Sequence, residues 1–121
     1  MKGRSGLFGT GKRKLPNGIS KSQKKRIEKG YRKIDDHLTD KDISGAVRDI
    51  KGNPVVDKNG RSFQHYKEVD DAVRGLKKDR DSLVKSIKNP NLTPEVKKSI
   101  KDAINEFEIK INEWENIKRG N

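Results

Sequence analysis

The sequence has no cysteine, which excludes disulfides and thiolate zinc sites. It has two histidines, His37 and His65, too few for a His-rich metal site. Apolar residues make up 28% and aromatics 5% of its 121 residues. Leu, Ile, Val and Phe number 27, barely above the share typical of chains that stay disordered. The core is therefore expected to be small and to leave part of the chain outside it. No apolar run approaches the roughly 20 residues that span a bilayer, and no signal-peptide apolar stretch follows Met1. If this domain leaves its cell, another part of a longer protein is expected to export it. Acidic residues are scarce at one end. Residues 1–34 hold 12 bases and a single acid, Glu28, whereas residues 35–121 hold 18 bases and 17 acids. Nearly all of the formal charge of +12 sits in the first quarter, the footprint of a polyanionic partner.

What is present divides into an arm and a body. Residues 1–18 interleave Gly3, Gly6, Gly9, Gly11 and Gly18 with Lys and Arg, and read as a flexible basic arm or linker. Residues 19–121 read as one domain. Ile27, Tyr31, Ile34 and Leu38 recur at helical spacing after Ser20, a good N-cap, which predicts a helix over 20–38. Its opposite face carries Lys21, Lys24, Lys25, Lys29, Arg32 and Lys33. Ile43, Ala46, Val47 and Ile50 predict a short helix over about 40–49. Then the period changes. The stretch from Asn53 to Phe63 predicts two short strands around Asn59-Gly60, a turn pair that tolerates positive φ. Two long helices follow, over about 64–88 (seam Val69, Val73, Leu76, Leu83, Ile87) and about 94–118 (seam Val96, Ile100, Ile104, Phe107, Ile111, Trp114, Ile117). Thr93 as N-cap and Pro94 at the first helical position mark the restart, and the short loop makes the two helices antiparallel neighbours. The expected fold is mainly α with a small β-hairpin, a helical bundle ending in a long αα-hairpin.

His65 and Glu68 stand three apart, on one face at a helix start. An imidazole titrates near neutrality and can take a proton from a ribose 2′-OH or give one to a leaving 5′-oxygen. A carboxylate beside it can fix its tautomer or act as the complementary acid or base. Asp42 is a third candidate. Such pairs are also common on exposed helices with no chemistry at all. His37 lies in an acidic island, Asp35 to Asp40, and is either a second acid–base group, part of an Asp/His metal site, or a helix-terminal residue that complements the dipole. A two-metal nuclease needs more carboxylates around one centre than the sequence places, so metal-free cleavage is the preferred reading. Lys12, Arg13, Lys14, Lys24, Lys25 and Arg26 are the first choices for phosphate contacts. Aromatic interleaving is thin among them, which favours backbone binding over base stacking. A non-enzymatic nucleic-acid-binding module needs the same basic residues and neither His65 nor Glu68. A membrane-inserting toxin is disfavoured, because neither long helix has a wide enough apolar face.

The segment Asp42-Ile43-Ser44-Gly45-Ala46-Val47-Arg48-Asp49, then Gly52-Asn53-Pro54-Val55, His65-Tyr66-Lys67-Glu68-Val69 and Ala72-Val73-Arg74-Gly75-Leu76, resembles the type-28 polymorphic toxin nuclease family. The resemblance runs from about Leu15 to the C-terminus. It implies a mostly helical ribonuclease domain that forms the C-terminal part of contact-dependent growth inhibition effectors. It implies a tRNA-type substrate, action in the cytoplasm of a target bacterium, a cognate immunity protein (expected to be acidic), and for some members engagement of elongation factor Tu. It assigns the active site to an Asp, a His and a Glu three residues on, here Asp42, His65 and Glu68. No cofactor is implied.

Overall fold

A computed structural model describes residues 15–52, 58–60 and 65–120. Four helices follow in order: α1 (Lys21–His37), α2 (Asp40–Ile50), α3 (His65–Ser86) and α4 (Pro94–Lys118). Three of the four helices, α1, α2 and α4, start on a side-chain cap. Ser20 Oγ accepts from Gln23 N at 3.1 Å while Gln23 Oε1 accepts from Ser20 N at 3.2 Å. Thr39 and Asp42 close the same reciprocal box at α2. Thr93 Oγ1 accepts from Val96 N at 3.2 Å, with Pro94 in the first turn. Each box satisfies donors that a helix N-terminus otherwise leaves open.

No strand occurs among the described residues. The expected hairpin lies mostly outside them, at 53–57 and 61–64. What is described of it is the turn at 58–60, where Gly60 has φ +81°, as an Asn-Gly turn requires. The first long helix ends at Ser86, two residues before the expected limit, in a turn closed by Asn89 N donating to Ser86 O.

The seams meet in one core. Ile27, Tyr31, Ile34 and Leu38 face Val69, Val73, Leu76 and Leu83, and α4 closes over them with Ile100, Phe107, Ile111 and Trp114. Leu15 and Ile19 pack against this core. Gly30 is needed where it stands: a Cβ there would overlap the Phe107 ring, which meets Tyr31 edge-on at 5.2 Å. The helical cost of that glycine, about 1 kcal/mol, is offset by a contact between two helices.

Two buried acids complete the packing. The seam of α3 jumps seven residues from Leu76 to Leu83, and Asp79 fills the gap at 1% exposure. It accepts from Arg26 at 3.0 Å and Lys33 at 2.7 Å, tying α1 to α3. Asp70 ties α3 to α4. It accepts from Trp114 Nε1 at 3.0 Å, Lys118 Nζ at 2.9 Å and Arg74 at 2.8 Å. The Trp114 hydrogen bond above all, then Lys118 and Arg74, hold its carboxyl down at about 2 against partial burial. These contacts fix the register. α1 and α3 are antiparallel, and so are α3 and α4, where Arg80 approaches Glu108 while Asp70 reaches Lys118.

Candidate active site and basic groove

The first turn of α3 docks on α2. The His65 ring lies on the backbone of Gly45, so close that a Cβ at Gly45 would stand 2.6 Å from its Cγ. Glycine is what this approach demands. One residue on, Tyr66 N donates to Asp49 Oδ2 at 2.9 Å. This bond satisfies one of the open donors of the α3 N-terminus with a carboxylate, which the helix dipole also favours. Tyr66 itself turns the other way and its ring meets Trp114 at 5.4 Å. Glu68 is exposed, three residues after His65.

Asp42 stands one turn before Gly45 on the same face of α2. Its Oδ2 accepts from Thr39 N at 3.1 Å and from Thr39 Oγ1 at 2.8 Å. That oxygen therefore serves the α2 cap. The structure brings His65 to the α2 face that bears Asp42, Gly45 and Asp49, and places Glu68 in the same first turn of α3.

Glu68 also lies in register with Gly75 and Asp79, seven and eleven residues on, which is the edge of α3 that faces α1. Lys33 crosses that edge over Gly75 to reach Asp79. Because α1 runs antiparallel to α3, the last turn of α1 comes to the end of α3 that carries His65 and Glu68. Lys29, Arg32, Lys33, Asp36 and His37 line a shallow groove of about 250 Å³ along this half of α1. Lys29 and Arg32 are exposed, and so are Lys24 and Lys25 on the preceding turns. His37 thus lies in the groove wall.

Of the six expected phosphate-binding residues, Lys24 and Lys25 face solvent, and Lys12, Arg13 and Lys14 lie outside the described residues. Arg26 is already paired within the protein. It adjoins Ile27 at the core edge, and its Nη1 donates to buried Asp79 at 3.0 Å while the side chain stays partly exposed. Lys29 and Arg32 line the groove. Both stand on the basic face visible in the sequence; what periodicity did not show is which of those cations an internal acid consumes. Sequence reasoning also passed over Gly45 and Asp49, since their part depends on what α3 lays against them. Among the described residues, no three His, Asp or Glu side chains gather as a metal-ligand set, and no helix is long and apolar enough to cross a membrane.

The profile of the bacterial toxin 28 family matches residues 18–120, and the chain belongs to that family. It is also similar to the tRNA nuclease CdiA of Escherichia coli O6:K15:H31 (strain 536 / UPEC), with 33% identity over 95 residues. That stretch covers 78% of this chain and 3% of the E. coli protein's length.

Proposed function

We propose that this member of the bacterial toxin 28 family is an endoribonuclease domain that cuts RNA, tRNA first among candidates, by acid–base catalysis at His65 and Glu68. The observation that carries this reading is a groove lined by Lys29, Arg32 and Lys33 on α1, the helix that packs antiparallel against α3, whose first turn holds His65 and Glu68. The cations Lys24, Lys25, Lys29 and Arg32 hold phosphates of the strand, and the groove delivers it to a histidine and a carboxylate one helical turn apart. The name of the E. coli relative points to the same substrate class.

In the proposed step, one of the pair takes the proton of a ribose 2′-OH as its oxygen attacks the adjacent phosphorus. The P–O5′ bond breaks, and the other group protonates the departing 5′-oxygen. The products are a 2′,3′-cyclic phosphate and a 5′-hydroxyl end. Asp42 holds the first turn of α2, and with it the surface on which His65 rests. No resident cofactor or metal enters the proposed step.

The domain is read as the toxic part of a larger exported effector that acts in the cytoplasm of a target bacterium. A dedicated acidic immunity protein is its expected partner, since a basic nuclease made in its own cytoplasm must be neutralised and opposite charge speeds association. Elongation factor Tu, implied by the family resemblance, enters as a host-factor arm of the test.

The test is incubation of the domain with total RNA and purified tRNA in EDTA, with and without elongation factor Tu or cell extract. The expected result is defined tRNA fragments ending in cyclic phosphate, with double-stranded DNA left intact. Reversing Lys24, Lys25, Lys29 and Arg32 to Glu should weaken RNA binding and flatten its salt dependence by about one in log–log slope per lost contact. A gel shift without cleavage in every arm would select the non-enzymatic binding module, and metal-dependent DNA nicking with untouched RNA would sink the proposal.

A further inference from the structure

We infer that the end of the bundle farthest from His65 is a second, remote grip on the RNA backbone, so that the substrate is an RNA long enough to reach from that end to the first turn of α3. This deepens the reading of the domain as an RNA-cutting enzyme and rests on it for the identity of the polyanion.

Helix direction defines the remote end. α1 and α4 both run antiparallel to α3, so the starts of α1 and α4 lie beside the end of α3. Gly18, just before α1, agrees: a Cβ there would stand 4.0 Å from Val96 in the first turn of α4. α3 is 22 residues long, which sets this end about 30 Å from the turn that carries His65 and Glu68.

Net charge gathers there. Residues 15–28 and 79–101 take in about two turns of each of these helices and the segments beside them, and hold ten bases against four acids. All other described residues, the His65 end included, hold 14 bases and 13 acids. Three of the ten bases are spent inside the protein: Arg26 on Asp79, Arg80 on Asp81 and Glu108, and Lys98 on Asp102. The other seven are Lys21, Lys24 and Lys25 on α1, Lys85 and Lys88 around the end of α3, and Lys97 and Lys101 on α4. All are exposed and none has an ion pair among the described residues. Seven like charges at one end repel one another, and a polyanion relieves that repulsion while releasing its own counterions.

The chemistry of this surface suits phosphate better than protein. Protein interfaces centre on apolar and aromatic anchors and are poor in lysine. The exposed large apolar side chains among the described residues are Ile50, Tyr66 and Ile109, and all three lie outside this end. Lysine without such an anchor contacts a phosphate backbone as a point charge, whatever the sequence. The remote end is also joined to the groove. Lys21, Lys25, Lys29 and Arg32 are exposed and follow one another by steps of four and three along one face of α1, and the last two line the groove. An RNA that follows this row to His65 covers about 30 Å, roughly ten base steps of a duplex strand.

The experiment compares the full chain with two neutralised variants. One carries Lys21→Gln, Lys88→Gln, Lys97→Gln and Lys101→Gln. The other removes the same charge elsewhere, with Lys41→Gln, Lys51→Gln, Lys58→Gln and Lys78→Gln. All eight positions are exposed, so both variants should fold, and a circular dichroism melt checks it. Binding is measured over a salt series with tRNA and with hairpin RNAs whose stems are about 4 and about 12 base pairs long, beside single-turnover cleavage of tRNA. The wild type should bind the long stem at least about tenfold more tightly than the short one, because one RNA engages both ends. The first variant should lose at least about tenfold in tRNA affinity and flatten the salt slope by about one per lost contact. Its preference for the long stem should shrink to about threefold or less, with the rate at saturating tRNA unchanged. The second variant should stay within about threefold of wild type throughout. Equal losses in the two variants would overturn the assignment, since total charge would then set the affinity. Wild-type tRNA affinity in the first variant would overturn it too, and a loss there of binding to anionic lipid vesicles alone would give the lysines to a membrane surface instead. If the wild type cuts no RNA while the first variant still loses tRNA affinity, the remote grip stands and the catalytic reading fails, so the two failures are distinguishable.

Discussion

Along α3, the first turn and the middle are held in opposite ways. In the middle, Asp70 and Asp79 are buried, and each is gripped by at least two cations from elsewhere in the chain or the next turn. In the first turn, His65 rests on a bare glycine, Tyr66 N is met by one carboxylate oxygen, and Glu68 faces solvent. Acids in the middle are spent on the fold; the proposed proton-transfer pair stands at the end. Satisfied buried networks are rigid, and a rigid scaffold lets the end of the same helix stay polar and available without losing its place.

The largest effect expected from this contrast is on chemistry. His65→Ala should slow single-turnover cleavage by about 10² to 10⁴ fold, and Glu68→Gln by a similar factor, with melting curves close to wild type. A folded His65→Ala protein that cuts at the wild-type rate would move the active site elsewhere, with His37 the next residue to test.

Asp79→Ala should do the reverse. It strips the shared partner from Arg26 and Lys33 and leaves a void in the α1–α3 seam, at a cost of about 3 kcal/mol in urea unfolding, the low end for a broken buried pair because both cations reach solvent. Under conditions where the variant is folded, its single-turnover rate at saturating RNA should stay near wild type. A large rate loss there would mean that the two parts of α3 are coupled.

A smaller effect is expected at Asp70, and it depends on pH. Its carboxyl is lowered from the ordinary 3.8 to about 2. A depressed carboxyl stabilises the fold above its unfolded value and loses that contribution as pH falls through the folded one. About 2 kcal/mol is therefore present above roughly pH 4 and lost by about pH 2. Asp70→Asn should remove that slope from an acid titration of stability. An unchanged slope would show that other carboxyls carry it.

The smallest effect belongs to the exposed Lys67–Asp71 pair on the same helix, 3.4 Å apart with both side chains more than half exposed. Lys67→Ala should change stability by no more than about 0.5 kcal/mol. A larger change would mean that charge near the α3 N-terminus matters more than its exposure suggests.

Sequence pattern by itself determined the four helices, because apolar spacing of three and four and the caps Ser20 and Thr93 are local signals written in adjacent residues; the Thr39 cap of α2 emerged with the structure. It also brought His65 and Glu68 forward, since i and i+3 fix a shared face without help from the rest of the fold. The hairpin rested on a single Asn-Gly pair, and what is described of it is that turn. Tertiary structure alone decided the rest. Arg26 looks like its solvated neighbours until Asp79 arrives from 53 residues away. Asp70 and Asp79 read as surface acids until α4 and α1 supply their donors. Gly45 and Asp49 are an unremarked glycine and acid until α3 sets its first turn on them. In each case the deciding partner is distant in sequence, so the energy of burying or pairing the group exists only once the helices have packed.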